Sequence, residues 1–125
     1  MIRGVGIDLV RIERIEQAVE RWGQRFLQRI FTADEIERCQ RLCRPAPCLA
    51  LRFAAKEAYA KALGLGMRQG LQWIDVEVVN DDLGKPGLIL HNRAKQLLEA
   101  TEAKKTWLGL SDERDSAIAV VVLEG

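Results

Sequence analysis

The stretch 49–63, LALRFAAKEAYAKAL, constrains this chain more than any other part of it. It holds no glycine or proline, and its Ala, Leu, Lys and Glu lose little freedom on becoming helical. Gly64 and Gly66 end the run, and Gly64 falls where a helix C-terminus takes a left-handed residue. The alanines leave the helix surface low, so that another backbone or a ligand can come close. The chain has 125 residues, which suits a single domain over 1–125 with a modest core.

The flanking segments supply strands. Residues 2–10 are apolar and interrupted by Gly4 and Gly6, a pattern that marks a bulge or a close backbone approach. Ile12, Ile15, Val19 and Trp22 recur at helical spacing, and a further helical turn is expected through Phe26, Leu27 and Ile30. Thr32-Ala33-Asp34-Glu35 has the form of a capping box. The helix behind it is expected to turn Ile36, Cys39 and Cys43 inward and to break at Pro45 and Pro47. Residues 74–79 and 85–90 form a hairpin around the turn 80–84, and 92–100 is helical. Strands at 106–110 and 117–123 flank a polar turn at 111–115. The order predicts an α+β fold, an antiparallel sheet with helices packed on one face.

Composition narrows the setting. Residues 1–61 carry 12 Lys/Arg against 8 Asp/Glu, and the remainder 7 against 10. This asymmetry falls short of a nucleic-acid-binding signature and suits an acidic protein partner at the first half. No apolar run approaches the roughly 20 residues that span a bilayer. No secretory leader follows Met1, so a soluble, cytoplasmic protein is expected. Three cysteines, Cys39, Cys43 and Cys48, are an odd number and lack zinc spacing, so reduced thiols are expected.

Few residues carry chemistry. Asp8 ends an apolar strand, where an unpaired carboxylate would be expensive to bury. It is either a strand-end or capping aspartate or a metal ligand. Glu57 and Lys61 share a helix face, as a simple i,i+4 ion pair would, worth about 0.2–0.5 kcal/mol. The glycines of 64–70 fit neither a P-loop nor a dinucleotide fingerprint. Gly84-Lys85-Pro86 fits a turn, and Lys85 could meet a phosphate there as a point charge. His91 has no nucleophile near it in sequence.

Taken together, these segments resemble the 4'-phosphopantetheinyl transferase superfamily, and most closely its small single-domain branch, the holo-[acyl-carrier-protein] synthases. Val5-Gly6-Ile7-Asp8 is similar to the first block of that family. Phe53-Ala54-Ala55-Lys56-Glu57-Ala58-Tyr59-Ala60-Lys61 is similar to the second and more specific one. The resemblance extends through Gly64-Leu65-Gly66, Gly84-Lys85-Pro86 and Ser111-Asp112-Glu113-Arg114, and so spans essentially the whole chain. One departure is clear: Gly109-Leu110-Ser111-Asp112 stands where many relatives carry Ser-x-Ser-His, so no catalytic histidine is carried over.

The resemblance implies transfer of 4'-phosphopantetheine from coenzyme A to a serine of apo acyl carrier protein, in support of fatty acid biosynthesis. It implies Mg²⁺ held by Asp8 and Glu57, with Glu57 or a metal-bound water taking the serine proton and Lys61 neutralising phosphate charge. Arg52, Lys56, Lys61, Gly64, Gly66, Lys85 and Pro86 are the implied coenzyme A contacts. Arg14, Arg21 and Arg25, seven and four apart, can share one helical side and would dock the acidic carrier. Small members of the family are homotrimers with active sites at subunit interfaces. Two other classes stay open on the residues alone, a non-catalytic module docking acidic helices and a pyrophosphate hydrolase using the same carboxylates.

Overall fold

A computed structural model of the chain describes residues 1–125. The elements run β1 (Ile2–Arg11), α1 (Ile12–Trp22), α2 (Gln24–Ile30), α3 (Ala33–Gln40), α4 (Pro45–Leu63), a 3-10 turn (Trp73–Asp75), β2 (Val76–Asn80), β3 (Pro86–Leu90), α5 (Asn92–Ala100), β4 (Lys105–Glu113) and β5 (Ser116–Glu124). The strands form two antiparallel sheets, one ordered β1-β5-β4 and one made of β2 and β3. The α+β class holds, with the sheet split into a three-stranded layer and a separate hairpin.

The core lies between α4 and the inner face of the larger sheet. Ala117, Ala119, Val121 and Leu123 of β5 are buried, as are Ala54, Ala55, Ala58 and Ala62 of α4. On the outer face Val5, Ile7 and Leu9 are 58%, 56% and 65% exposed, and Val120 and Trp107 join them. That leaves the sheet apolar on both sides, one covered and one bare. No helix is long and apolar enough to cross a membrane.

Thr32 forms its capping box with Glu35, and Gly64 ends α4 at φ 79°. Several expectations need correcting. Pro45 and Pro47 start α4 instead of breaking a helix, because proline's missing N–H costs nothing in a first turn. β4 and β5 run on through the residues expected as a long turn, leaving only Arg114 and Asp115 between them. Cys43 is exposed. Cys39 and Cys48 are bonded to each other, with Cα atoms 5.4 Å apart. An odd cysteine count argues against a multi-bridge framework, but it says nothing about one staple between adjoining helices.

Candidate active site

The site begins with two missing side chains. A Cβ on Gly4 would lie 2.2 Å from the Ala62 carbonyl oxygen, and one on Gly6 1.9 Å from that of Ala58. β1 therefore rests backbone to backbone on the alanine face of α4. Side chains alternate along a strand, so Asp8 projects on the same side as Gly4 and Gly6 and meets the helix. There Lys61 Nζ donates to Asp8 Oδ1 at 3.0 Å, joining residues 53 apart in sequence. The Asp8 side chain is only 14% exposed.

Glu57 lies one turn before Lys61 on α4, half-buried. Burial raises its carboxyl pKa above the ordinary value, and the Asp8 charge raises it further; Lys61 and Arg14 pull the other way. The two acids thus share one field, with Lys61 as their cation. No cluster of three or more His, Cys, Asp or Glu exists that could hold a metal. Two carboxylates without thiolate or imidazole suit a hard divalent cation that takes its remaining oxygens from a substrate and water.

The other expected site residues scatter. Arg14, from the first turn of α1, lies with Cζ 5.6 Å from the Phe53 ring centroid. Arg21 lies over the Trp22 ring at 5.0 Å, and Arg25 lines a shallow groove with Trp22, Phe26 and Arg29. Lys85 lies 5.5 Å from the ring centroid of Trp107. Trp107 pairs with Val122, and Val122 with Val5, on the outer sheet face. A single chain does not bring Lys85 and Pro86 to Asp8 and Glu57. Asp112 is exposed near the end of β4.

Several of the expected coenzyme A contacts have their donors engaged within the chain. Lys56 is 0% exposed. Its ammonium donates to Glu35 Oε1 at 2.8 Å, the Trp73 carbonyl at 3.1 Å and the Val76 carbonyl at 2.6 Å. All three of its protons are spent in the core, so it has none for coenzyme A. Burial lowers its pKa, opposed by the Glu35 charge. Arg52 is 4% exposed and donates to the Cys48 carbonyl and Sγ and to Asn80 Oδ1, which removes it from solvent too. The N–H groups of Gly64 and Gly66 bond the Lys61 and Ala60 carbonyls, so this loop caps α4 and offers those donors to no phosphate.

Some functional packing was invisible in the sequence. Glu35 is 2% exposed and pairs with Lys56 while accepting from the Thr32 and Val78 N–H groups. The capping box marked Glu35 as a helix-start residue, and nothing in the spacing disclosed its second partner. Phe53 stacks on Trp73, with centroids 5.0 Å apart and planes 18° apart. His91 meets Glu77 at 3.0 Å, and Glu77 also accepts from Thr32.

Known proteins fit this geometry. The family model of the 4'-phosphopantetheinyl transferase superfamily matches residues 4–121. A holo-[acyl-carrier-protein] synthase of Geobacter metallireducens is 51% identical over 124 residues, covering 99% of this chain and 98% of the relative. The crystal structure of the holo-[acyl-carrier-protein] synthase from Neisseria meningitidis matches with a TM-score of 0.92 at 38% identity, covering 100% of both chains. That of Helicobacter pylori, in complex with coenzyme A, matches with a TM-score of 0.85 at 32% identity, covering 96% of this chain and 99% of the other. With Lys61 of the helix motif bonded to Asp8 of the strand motif, and with likeness along its whole length, this chain belongs to the 4'-phosphopantetheinyl transferase superfamily.

Proposed function

We infer that the chain transfers 4'-phosphopantetheine from coenzyme A to a serine of apo acyl carrier protein. The serine oxygen forms a bond to the β-phosphorus as the bond to the bridging diphosphate oxygen breaks. Adenosine 3',5'-bisphosphate leaves, and the serine proton passes to a base. The observation that carries the site assignment is the Lys61–Asp8 contact at 3.0 Å, which ties the strand motif to the helix motif. The relatives named above are holo-[acyl-carrier-protein] synthases, and one binds coenzyme A. This supports the same donor and acceptor here, in service of fatty acid biosynthesis in the cytoplasm.

Asp8 and Glu57 would hold Mg²⁺, whose chemistry there is to neutralise the diphosphate oxygens as charge builds on them. The protein's own groups do the rest by position and charge. Lys61 offers its ammonium, half exposed beside Asp8, to the leaving phosphate. Glu57, half-buried one turn before Lys61, is a candidate to take the serine proton. Arg14, Arg21 and Arg25 stand along α1 and α2 to receive an acidic carrier.

The bare outer sheet face supports a homotrimer. Val5, Ile7 and Leu9 form a contiguous apolar surface of a kind rarely left in water. Covering that face with neighbouring copies would also let Lys85 and Pro86 of one chain serve coenzyme A bound at another chain's Asp8 and Glu57. Sedimentation at a mass near three times 14.1 kDa is expected.

The decisive test incubates the protein with coenzyme A, Mg²⁺ and apo carrier protein. A mass gain of roughly 340 Da on the carrier, the size of the phosphopantetheine group, is expected. Asp8→Ala and Glu57→Ala should abolish it while leaving the thermal midpoint nearly unchanged. Near-normal turnover in either variant at saturating Mg²⁺ refutes the site. Coenzyme A cleavage without carrier would make the chain a hydrolase, and no reaction at all would leave a docking module.

A further inference from the structure

We propose that Phe53, backed by Trp73, is a positioning residue that seats the Arg14 guanidinium beside the Glu57 carboxylate, so that Arg14 acts at the reaction centre and not only in docking the carrier. The proposal rests on the reading of Asp8 and Glu57 as the catalytic pair.

The argument starts from α4. Phe53 and Glu57 are four residues apart, so their side chains leave the helix on one face, one turn from each other. Phe53 is 6% exposed, and the indole of Trp73 stacks on it at 5.0 Å. Trp73 is itself fixed, because its carbonyl accepts from the buried Lys56 ammonium at 3.1 Å. The ring of Phe53 is thus a rigid platform, gripped from the residue three further along its own helix. Arg14 is exposed on α1 between Ile12 and Ile15, both of which are buried. Its Cζ lies over the Phe53 ring, 5.6 Å from the centroid.

A surface arginine without such a seat spreads its charge over many rotamers. On an aromatic face the planar guanidinium is held by cation–π attraction and stacking, with its N–H edge left free for other partners. Here the ring that seats it shares one face of α4 with Glu57, a single turn away. Neither Arg21 nor Arg25 has a comparable place: Arg21 lies over Trp22 and Arg25 in the groove beside it, both well down the helices from Glu57. Arg14 alone among the three lies over a ring carried by α4, the helix that also carries Glu57. A carrier that engages Arg14 would therefore be registered against the reacting centre by a ring that never touches substrate.

The test is a double-mutant cycle on the complete protein, read as kcat and as KM for carrier and for coenzyme A separately. Phe53→Leu should lower kcat about fivefold, the upper scale of an exposed cation–π contact, with KM for coenzyme A unchanged. In an Arg14→Ala background the same change should lower kcat less than about twofold, because its effect runs through Arg14. Equal losses in the two backgrounds would overturn the proposal and leave Phe53 a packing residue. Should Phe53→Leu not fold, Arg14→Lys asks the question from the other side. It keeps the charge but not the planar stack, so it should keep KM for carrier at low salt and lose kcat about tenfold. A fully active Arg14→Lys overturns the proposal. Wild-type protein that moves no phosphopantetheine onto the carrier would instead refute the catalytic reading beneath it.

Discussion

Gly6→Ala should uncouple the two halves of the active site without touching a charged residue. The added Cβ would sit 1.9 Å from the Ala58 carbonyl oxygen, 2.5 Å from the Ala62 nitrogen and 3.0 Å from the Ala58 carbonyl carbon. A comfortable carbon–oxygen contact is about 3.4 Å, so β1 and α4 must part by about 1.5 Å at this point. All three obstacles are backbone, so no side chain can rotate out of the way. α4 is held on its other sides by Lys56 and by the Phe53–Trp73 stack, and β1 must do the moving. Asp8 is two residues further along and rides with it. Its 3.0 Å contact with Lys61 would then pass the length at which a hydrogen bond survives. Displacement of about 1 Å at a reacting centre costs on the order of 10²-fold in rate, and overpacking of this kind costs about 1–3 kcal/mol of stability. The assay is carrier modification by mass, with thermal melts alongside. Turnover should fall about 100-fold, and the midpoint by at least about 4 °C. Gly87→Ala, where an added Cβ meets nothing within 4 Å, is the control for folding and should melt as wild type does. If Gly6→Ala keeps both rate and midpoint, the close approach does not set the geometry of the site, and the argument from glycine to Asp8 fails.

Lys56→Met should destabilise the protein by about 3–5 kcal/mol, because it leaves Glu35 buried without its cation; denaturant melts measure this, and Glu35→Met added to it should recover part of the loss. Opening the Cys39–Cys48 bond should cost about 2.7 kcal/mol on chain entropy for a loop this short, read as the difference between oxidised and reduced melts; identical melts would refute it. Burial pushes the Glu77 carboxyl up, but hydrogen bonds from His91 and Thr32 outweigh it, and its pKa falls below the ordinary 4.5. The stability this group contributes is therefore complete above pH 4.5 and lost as pH falls through the lower folded value, and His91→Ala should shrink that acid-sensitive part.

The sequence disclosed what depends on local chemistry. Residues 49–63 became helix because nothing in them resists it, and Gly64 stopped it because only a residue content at positive φ fits there. Thr32 and Glu35 announced their own cap. Errors came where one residue type serves two opposite ends. A proline pair stops a helix or starts one, and at Pro45 the choice depended on the turn before it. The polar run 111–115 has turn composition, yet pairing with β5 carries strand through Glu113. Pairing is a property of two segments, and no window on one of them contains it.

The site shows the same division more sharply. Lys56 and Glu57 are neighbours in one motif, but successive helical residues point about 100° apart, so one faced the core and the other the strand. A motif records which residues recur together, not which way each points. Lys56 was therefore assigned to the ligand, when its task is to pin α4 to Glu35 and to the carbonyls before β2. That misplacement is informative about how the site works. A carboxylate meant to meet another across a strand–helix gap must sit on a helix that cannot roll. The residue next to it, with three protons spent on three separate segments, is what prevents rolling. In the proposed mechanism Glu57 supplies the chemistry and Lys56 fixes its azimuth, and a rotation of the helix is resisted best from the residue beside the one that must stay in place.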